Sequence, residues 1–232
     1  MLAAVAAVII VATFGVLRKA QRDFRPPTPA LVLVIAHPDD ESMFFLPTLL
    51  AWPSTERTVV CLSEGDFIAG QGAVRRRELV SALHAIGGAR DVVVGPFADG
   101  PREHWDPAHV ASFLRSVLSD DKALARSTLV TFDAQGISGH ANHLATHHGV
   151  LSFAAQHPPA RLLLLQTPHW TVKYSSLVGA AALALAAPAG VVTANANVLA
   201  SIHAMQAHAS QFVWYRRLFV VFFVGSFVNS LA

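Results

Sequence analysis

The sequence carries little charge and almost no cysteine. Asp, Glu, Lys and Arg make up only 14% of the 232 residues, whereas hydrophobic residues make up 53%. The single cysteine, Cys61, excludes an intrachain disulfide and is compatible with a reducing compartment. The net charge of +2, without interleaved basic and aromatic residues, does not indicate a nucleic-acid-binding protein. The mean hydropathy of +0.45 indicates instead that part of the chain contacts lipid.

An uncharged apolar run occupies residues 1–17. As a helix it would be roughly 26 Å long, enough for a thin bilayer such as that of the endoplasmic reticulum. A cleavable signal peptide carries its positive charge before the apolar run, whereas Arg18 and Lys19 follow it here. We therefore favour a retained single-pass anchor over a signal peptide or a buried helix, with the rest of the chain in the cytosol. Residues 18–30 are predicted to be a basic, proline-rich linker.

Two apolar regions towards the C-terminus leave alternatives open. Residues 175–200, which Pro188 interrupts, predict either a buried helix followed by a strand or a segment that dips into the membrane. Residues 218–228 are too short to span a bilayer. They follow the aromatic and basic sequence WYRR at 214–217, which is typical of an interfacial helix, although a packed helix is the alternative. We therefore predict an amphipathic, interfacial helical segment over 201–232.

Between the two ends, strand and helix patterns alternate. Continuous apolar runs predict strands at 31–36, 58–65, 91–95, 127–133 and 161–167. Helical patterns cover 42–52, 73–88, 106–120 and 140–156. In the second of these helices, Val74, Leu79 and Leu83 are predicted to face the core. The alternation predicts an α/β catalytic domain over 31–200, with a Rossmann-like, doubly wound, mostly parallel sheet.

Polar residues follow the predicted strands at the point where each strand ends. Residues 37–41 follow the first strand, 64–66 the second and 133–143 the fourth, while Asp99 lies a few residues beyond the third. In a doubly wound sheet, ligands bind outside the carboxyl ends of the strands. The sequence therefore predicts that these polar residues form one site at this edge of the sheet.

Two motifs in these loops, AHPDDE and SGHANH, have the composition of a metal site. His37 and Asp40 lie three residues apart and can face one point, where an imidazole and a carboxylate are good zinc ligands. With His143 as a third ligand, one coordination position would stay open for water, as in catalytic sites. Asp39 is then suited to take the proton from water, and His140 to stabilise an oxyanion or protonate the leaving amine.

The residues of these two motifs also have possible structural roles. AHPDDE alone could be an acidic cluster at a helix N-terminus, and a helical His-x-x-His is often on the surface. The two motifs together, each at the end of a predicted parallel strand, favour the metal site. His147 and His148 are expected to pack or to face solvent. No role is assigned to His84, His109, His157, His169, His203 and His208, which have no local partner pattern.

At these residues the chain resembles the LmbE-like, or PIG-L-type, family of zinc de-N-acetylases. AHPDDE near the first strand and SGHANH after the fourth are the two signatures of that family. The stretches SEGDFIAGQGAVRRREL, HWDPAHV and SQFVWYRRLFVVFFVGSFVNSL resemble the branch that acts on GlcNAc-phosphatidylinositol in GPI-anchor synthesis. The likeness covers most of residues 30–232 and is loose over 175–200. It implies a cytosolic catalytic domain anchored in the endoplasmic reticulum membrane.

The resemblance also implies roles for individual residues. His37, Asp40 and His143 would hold Zn²⁺ or another divalent ion, with Asp39 as general base and His140 at the oxyanion or leaving group. The implied reaction is hydrolysis of the N-acetyl group of GlcNAc-phosphatidylinositol, in contact with membrane lipid and without nucleic acid. Protein partners are not predicted. Two alternatives stay open: a de-N-acetylase of a soluble GlcNAc conjugate, and a catalytically silent membrane-bound subunit.

Three further residues are predicted to contact substrate. Arg75 resembles a substrate-contacting arginine of the family, although it could instead lie on a solvated helix face, and Glu78 could orient it. Asp99 lies on the predicted edge of the sheet. Asn142 stands where soluble bacterial relatives typically have an aspartate, and this departure matches the lipid-linked branch.

Overall fold

The computed structural model of the protein describes residues 1–186 and 190–232 and contains a seven-stranded sheet flanked by helices. The strands are β1 (Ala30–Ile35), β2 (Arg57–Ser63), β3 (Asp91–Phe97), β4 (Ser127–Phe132), β5 (Arg161–Leu165), β6 (Val191–Ala194) and β7 (Val228–Leu231). The helices are α1 (Leu2–Asp23), α2 (Asp40–Met43), α3 (Leu46–Ala51), α4 (Gly72–Ala85), α5 (Pro107–Val117), α6 (Asp121–Leu124), α7 (Gly136–Gly139), α8 (Ala141–Gln156), α9 (Trp170–Lys173), α10 (Ser176–Ala186), α11 (Val198–Ala207) and α12 (Trp214–Phe222). Short 3-10 helices lie at Ser54–Glu56 and Val224–Ser226.

The strand order is β3-β2-β1-β4-β5-β7-β6, and the first five strands of this order are parallel. β7 is antiparallel to both β5 and β6. The order in which strands are added reverses between β1 and β4, and such a switch point is where open α/β sheets bind ligands. The prediction of a doubly wound, mostly parallel sheet is confirmed.

The central strands are buried along their whole length, which explains their continuous apolar sequences. β2 and β4 have no exposed residue, and helices cover both faces of the sheet. α5 and α8 pack very closely, since a Cβ added at Gly149 would lie 2.3 Å from the side chain of Val110. α8 also contacts β1 and β4, the two strands whose following loops are predicted to form the site.

In α4, the core-facing positions differ from the prediction at one residue. Leu79 and Leu83 are buried as predicted, but Val74 is 37% exposed and Arg75 is only 6% exposed. The prediction for Val74 is therefore wrong. The helix turns Arg75 inward because backbone carbonyls and carboxylates are available there to accept its hydrogen bonds.

The C-terminal third of the chain extends the sheet. A helix, α10, is followed by a strand, β6, which is the order of elements in the first of the two alternatives for 175–200. The helix is buried only over residues 179–181, and Val178 and Leu185 are exposed, so it is not the buried helix of that alternative. Pro188 itself lies outside the described residues.

The prediction that 201–232 is helical is wrong for Val228–Leu231, which form β7. As a strand between β5 and β6, this segment pairs the backbone groups at the free edge of β5, which a helix could not do.

The N-terminal helix α1 extends past the predicted end of the apolar run. Residues 18–23 are helical, so the predicted linker is non-helical only in its proline-rich part. The second half of α1 contacts α10, and Leu17 is buried in a small cluster with Ala180, Val224 and Phe227. Within the described part of the chain, Ala4–Asp23 is the one helix long and apolar enough to cross a membrane.

Candidate metal and active site

The loop after β1 is organised by Asp40. One carboxylate oxygen, Oδ2, accepts the backbone N–H groups of Ala36 (3.1 Å) and His37 (2.8 Å). The other, Oδ1, lies 3.3 Å from Nε2 of His143. Burial alone would raise the pKa of Asp40, but the charges and hydrogen bonds of His143 and His37 lower it to about 2. The structure therefore presents a charged carboxylate oxygen to the centre of the site.

The loop after β4 fixes the ring of His143. Asp133 accepts the backbone N–H groups of Gln135 and Gly136, which folds the loop back towards α8. Gly136 has φ +58° and lies so close to α8 that a Cβ there would be 2.8 Å from Cβ of His143. Nδ1 of His143 lies 2.9 Å from the carbonyl oxygen of Gly136, and Phe132 stacks on the ring at 4.2 Å. A proton held on Nδ1 by this carbonyl leaves Nε2 free to bind a metal ion.

His37 is oriented in a similar way from its other ring nitrogen. Nε2 lies 3.0 Å from Oδ1 of Asp99 and 3.0 Å from Oδ1 of Asn142, while Nδ1 faces Asp40 at 3.8 Å. Burial would lower the pKa of His37, but its hydrogen bond to Asp99 and the charges of Asp40 and Asp99 raise it. Because Nε2 is engaged, Nδ1 is the nitrogen that remains available at the centre of the site.

The predicted substrate residues Asp99 and Asn142 also hold other parts of the site. Asp99 bridges His37 and Arg75, whose Nη1 lies 3.3 Å from Oδ2. Burial alone would raise its pKa, but the hydrogen bond and charge of His37 and the charges of Arg75 and His140 together lower it. Asn142 is fully buried; it accepts the N–H of Gly100 and donates to the carbonyl of Glu103. These contacts tie the loop after β3 to the imidazole of His37.

His140 caps α8 and faces the same centre. Its Nδ1 accepts the backbone N–H of Asn142 at 3.2 Å. Its ring centroid lies 4.9 Å from that of His37 and 5.3 Å from that of His143. Burial and the charges of these two histidines lower the pKa of His140. In the neutral ring, the proton sits on Nε2, so that His140 is a hydrogen-bond donor.

The structure thus contains two overlapping sets of metal donors. The predicted set, His37, Asp40 and His143, is brought together by the contacts described above. One ring nitrogen from each of His37, His140 and His143 also lies within 4.8 Å of the other two. Charged carboxylate and neutral imidazole are ligands suited to zinc and related divalent ions, so that the residues fit such an ion.

Asp39 has an unusual backbone and two cationic neighbours. Its φ is +131°, a conformation that is strained for a residue other than glycine and that often accompanies function. Its N–H donates to Oε2 of Glu41 at 3.0 Å. Its carboxylate forms an ion pair with Arg216, and Arg75 lies 3.5 Å away. The predicted general base is therefore buried and held from both sides.

Arg216 and His208 are site residues that the sequence reasoning missed. WYRR at 214–217 is typical of an interfacial helix, with a packed helix as the alternative, and neither interpretation places Arg216 in the site. No local pattern gives His208 a role. Nε2 of His208 lies 2.6 Å from Oε1 of Glu41, and both side chains are fully buried. The only available signal was Glu41 itself, since an acidic residue beside a buried strand requires a partner.

Arg75 is held tightly at the edge of the site. It donates to the carbonyls of Gly65 (2.7 Å) and Pro38 (2.9 Å) in addition to its contacts with Asp99 and Asp39. Glu78 does not orient it, because both oxygens of Glu78 accept hydrogen bonds from Ser210.

His147 is buried with Nδ1 2.9 Å from the carbonyl of Phe132 and His148 is exposed, which confirms the prediction for this pair.

Two adjoining cavities open at these residues. The inner cavity, of about 260 Å³, is lined by the donor histidines and aspartates together with Met43, Phe44 and Phe219. The outer cavity, of about 270 Å³, is lined by Gly65, Phe67, Ile68, Gln71, Pro101 and Gln211. Arg75, Asp99, His140 and Arg216 line both. A substrate could therefore place its reacting group in the inner cavity and extend into the outer one.

The chain is similar to known proteins over most of its length. The PIG-L family, described as GlcNAc-PI de-N-acetylase, matches residues 32–154. The chain belongs to the PIG-L family. The N-acetylglucosaminyl-phosphatidylinositol de-N-acetylase of Bos taurus is 34% identical over 210 residues, covering 86% of this chain and 81% of that protein. A probable enzyme of the same name from Schizosaccharomyces pombe is 34% identical over 201 residues, covering 81% and 79%.

Solved structures support the PIG-L fold independently of sequence. The N,N'-diacetylchitobiose deacetylase of Pyrococcus horikoshii has a TM-score of 0.62 at 14% identity, covering 95% of this chain and 91% of that one. At this identity the likeness shows the fold alone. Membership of the PIG-L family makes the present chain a deacetylase, and it places both signature motifs, which lie within residues 32–154, in the matched region.

Proposed function

We propose that the protein hydrolyses the N-acetyl group of GlcNAc-phosphatidylinositol, giving GlcN-phosphatidylinositol and acetate in the second step of GPI-anchor biosynthesis. The observation that carries the proposal is the placement of Asp39, buried beside His37, Asp40 and His143 at the switch point of the sheet. The identity to GlcNAc-phosphatidylinositol de-N-acetylases over most of the chain supports this substrate.

The proposed cofactor is Zn²⁺ or another divalent ion held by His37, Asp40 and His143. Such an ion would supply Lewis acidity, which lowers the pKa of water and polarises a carbonyl. Asp40 suits this role because its pKa is about 2 and one of its oxygens faces His143. His140 is less suited, because its Nδ1 already accepts a hydrogen bond from the backbone and Nε2 carries the proton. We therefore assign His140 to the substrate.

In the proposed mechanism, the residues of the chain move the protons. Asp39 accepts a proton from the attacking water while the oxygen of that water bonds to the amide carbon. Nε2–H of His140 donates a hydrogen bond to the oxyanion that forms at the former carbonyl. The C–N bond then breaks, and the nitrogen leaves as the amine after Asp39 transfers to it the proton taken from water. Arg75 holds the carboxylate of Asp39 in place, and Glu41 accepts its backbone N–H.

The proposed location is the endoplasmic reticulum membrane, with α1 as a single-pass anchor and the catalytic domain in the cytosol. The exposed side chains of the first half of α1 are apolar, among them Val5, Val8 and Ile10. Arg18 and Lys19 follow the apolar run, which favours the cytosolic side for what comes next. Since the second half of α1 packs on α10, the anchor would hold the catalytic domain against the bilayer that contains the substrate.

Turnover by the detergent-solubilised full chain tests this proposal. GlcNAc-phosphatidylinositol and a soluble GlcNAc conjugate are offered in parallel, with chelator and then with added Zn²⁺. Release of acetate from the lipid, lost with chelator and restored by Zn²⁺, is the expected result. Acetate released only from the soluble conjugate would mean that the reaction is the proposed deacetylation but that the substrate is a soluble GlcNAc conjugate. A purified protein without metal and without turnover would indicate a catalytically silent subunit instead.

A further inference from the structure

Two arginines line the junction between the inner and outer cavities, but they are held very differently. Arg75 is 6% exposed and donates to two backbone carbonyls as well as to carboxylates. Its guanidinium is fixed in the wall of the site. Arg75 therefore has little capacity to take up a new anionic partner without breaking several hydrogen bonds.

Arg216 is the exchangeable arginine of this pair. It comes from α12, far along the chain from the proposed metal donors, and its side chain is 24% exposed. Within residues 1–186 and 190–232, its hydrogen-bond partner is the carboxylate of Asp39. A guanidinium with one carboxylate partner and access to solvent can rotate to another anion at the cost of that single ion pair.

The charges around the cavities favour such an exchange when an anion enters. Asp39, Asp40 and Asp99 line the inner cavity and would repel an anionic ligand unless a cation faces it. Arg216 lines both cavities, so its guanidinium can meet a charged group in the outer cavity while the reacting group lies in the inner one. The outer cavity adds Phe67 and Ile68, which are exposed apolar side chains beside this cation.

We propose that Arg216 is a specificity residue that releases Asp39 and binds the phosphodiester of the substrate. The inference rests on the proposed function and deepens it. In a phosphatidylinositol substrate the phosphodiester is the only charged group, and an arginine fork can bind two of its oxygens. Once Arg216 has moved to the phosphate, the carboxylate of Asp39 is free to accept a proton from water. A phosphate-free substrate leaves Arg216 on Asp39 and is turned over slowly.

The test compares Arg216→Gln with a matched control, Arg217→Gln, in the full chain. Arg217 is the neighbouring residue on α12, and it contacts Phe212 rather than the site. The two substrates are a short-chain GlcNAc-phosphatidylinositol and GlcNAc-inositol without phosphate. The measured quantity is the ratio of kcat/KM for the phosphorylated substrate to kcat/KM for the phosphate-free one. Arg216→Lys tests whether the fork, rather than the charge, is required.

We expect Arg216→Gln to lower this ratio about 10- to 100-fold, the effect of losing a charge-assisted hydrogen bond. Arg217→Gln is expected to leave the ratio within twofold of wild type, and Arg216→Lys to give an intermediate ratio. If the ratio falls less than tenfold in Arg216→Gln, because kcat/KM falls equally for both substrates or for neither, the proposal is overturned. Arg216 is then only a structural partner of Asp39.

Binding of glycerophosphoinositol, measured by calorimetry, separates this inference from the proposed function. Arg216→Gln should weaken binding about tenfold, while Arg217→Gln should not change it. If the wild type fails to deacetylate GlcNAc-phosphatidylinositol, the proposed function is wrong, but this binding experiment still decides the role of Arg216. Equal affinities for the wild type and Arg216→Gln would overturn that role whatever the reaction is.

Discussion

The parallel and antiparallel parts of the sheet contribute different things to the site. The parallel strands β1 and β4 end in the loops that hold His37, Asp40 and His143, the proposed metal donors. The C-terminal region, with β6, β7, α11 and α12, contributes no donor of this set. It supplies His208, which contacts Glu41, and Arg216, which contacts Asp39.

The parallel strands therefore carry the residues of the proposed reaction, whereas the C-terminal region carries residues that can select the substrate. The switch point between β1 and β4 is a general location for ligands in doubly wound folds, and here it gathers the groups that would activate water. The C-terminal region reaches Asp39 from the opposite side and lies next to the outer cavity. The same chemical centre could therefore act on different substrates according to what the C-terminal region presents to them.

The largest expected effect concerns the parallel part. His143→Ala should reduce turnover about 10³-fold or more and abolish metal binding, since several kcal/mol of transition-state stabilisation depend on the ion. His140→Ala should reduce turnover about 10²-fold or more but keep the metal, because we assign it to the oxyanion. Metal analysis of the purified proteins, together with acetate release, measures both.

His140→Ala and Asp40→Asn together decide between the overlapping donor sets, which differ only at these two residues. If His140→Ala loses its metal while Asp40→Asn retains it, the three histidines form the metal site and the assignment of Asp40 is wrong. The exposed His148, next to the buried His147 on the same helix, offers a control, and His148→Ala should change neither metal content nor turnover.

The next effect concerns the buried pair that joins the two parts. His208→Ala should lower the free energy of unfolding by about 3–5 kcal/mol, because it leaves Glu41 buried without its partner. Urea unfolding in detergent measures this loss. His203→Ala, in α11 and exposed, should have almost no effect. A stability equal to wild type in His208→Ala would show that the C-terminal region does not support the loop of Asp39.

The charge on Asp40 predicts a dependence of stability on pH. The pKa of Asp40 in the folded protein is about 2, below its ordinary value of 3.8, so that ionised Asp40 stabilises the fold. In chelator-treated protein, Asp40→Asn should therefore lose about 2 kcal/mol at pH 7 and at pH 5. As pH falls from about 4 towards 2, this gap should close. A gap that stays constant down to pH 3 would contradict the shifted pKa.

The smallest expected effect is on the free energy of unfolding and comes from the packing of α5 against α8, beside the parallel strands. Gly149→Ala places a methyl group against Val110 where α5 and α8 cross, which should lower the free energy of unfolding by about 1–3 kcal/mol. Turnover of the folded fraction should stay the same, because neither residue lines a cavity of the site. A change in KM would mean that the layer of α5 and α8 is coupled to the site after all.

The parallel part could be predicted from sequence because its signals are local. A continuous apolar strand followed by His37, Asp39, Asp40 and Glu41 within five residues specifies both the strand and the loop. Even there, the periodicity assigned Val74 to the core, whereas the structure buries Arg75, since hydrogen-bond acceptors beyond the helix decide which of the two turns inward.

The C-terminal contribution could not be predicted, because its partners lie far away in sequence. Arg216 is 177 residues from Asp39, and His208 is 167 residues from Glu41. Viewed alone, an arginine beside aromatic residues is typical of a membrane interface, and an isolated histidine has no preferred role. β7 is not predictable for a related reason, since Val228–Leu231 form a strand by pairing with β6 and with the edge of β5, both distant in sequence.

The central claim is that Asp39 is the general base of a metal-dependent deacetylase, and Asp39→Asn tests it most directly. The variant should bind metal as the wild type does, because Asp39 is outside the proposed donor set, and should lose about 10²- to 10⁴-fold in acetate release from GlcNAc-phosphatidylinositol. Full metal content with wild-type turnover would contradict the account.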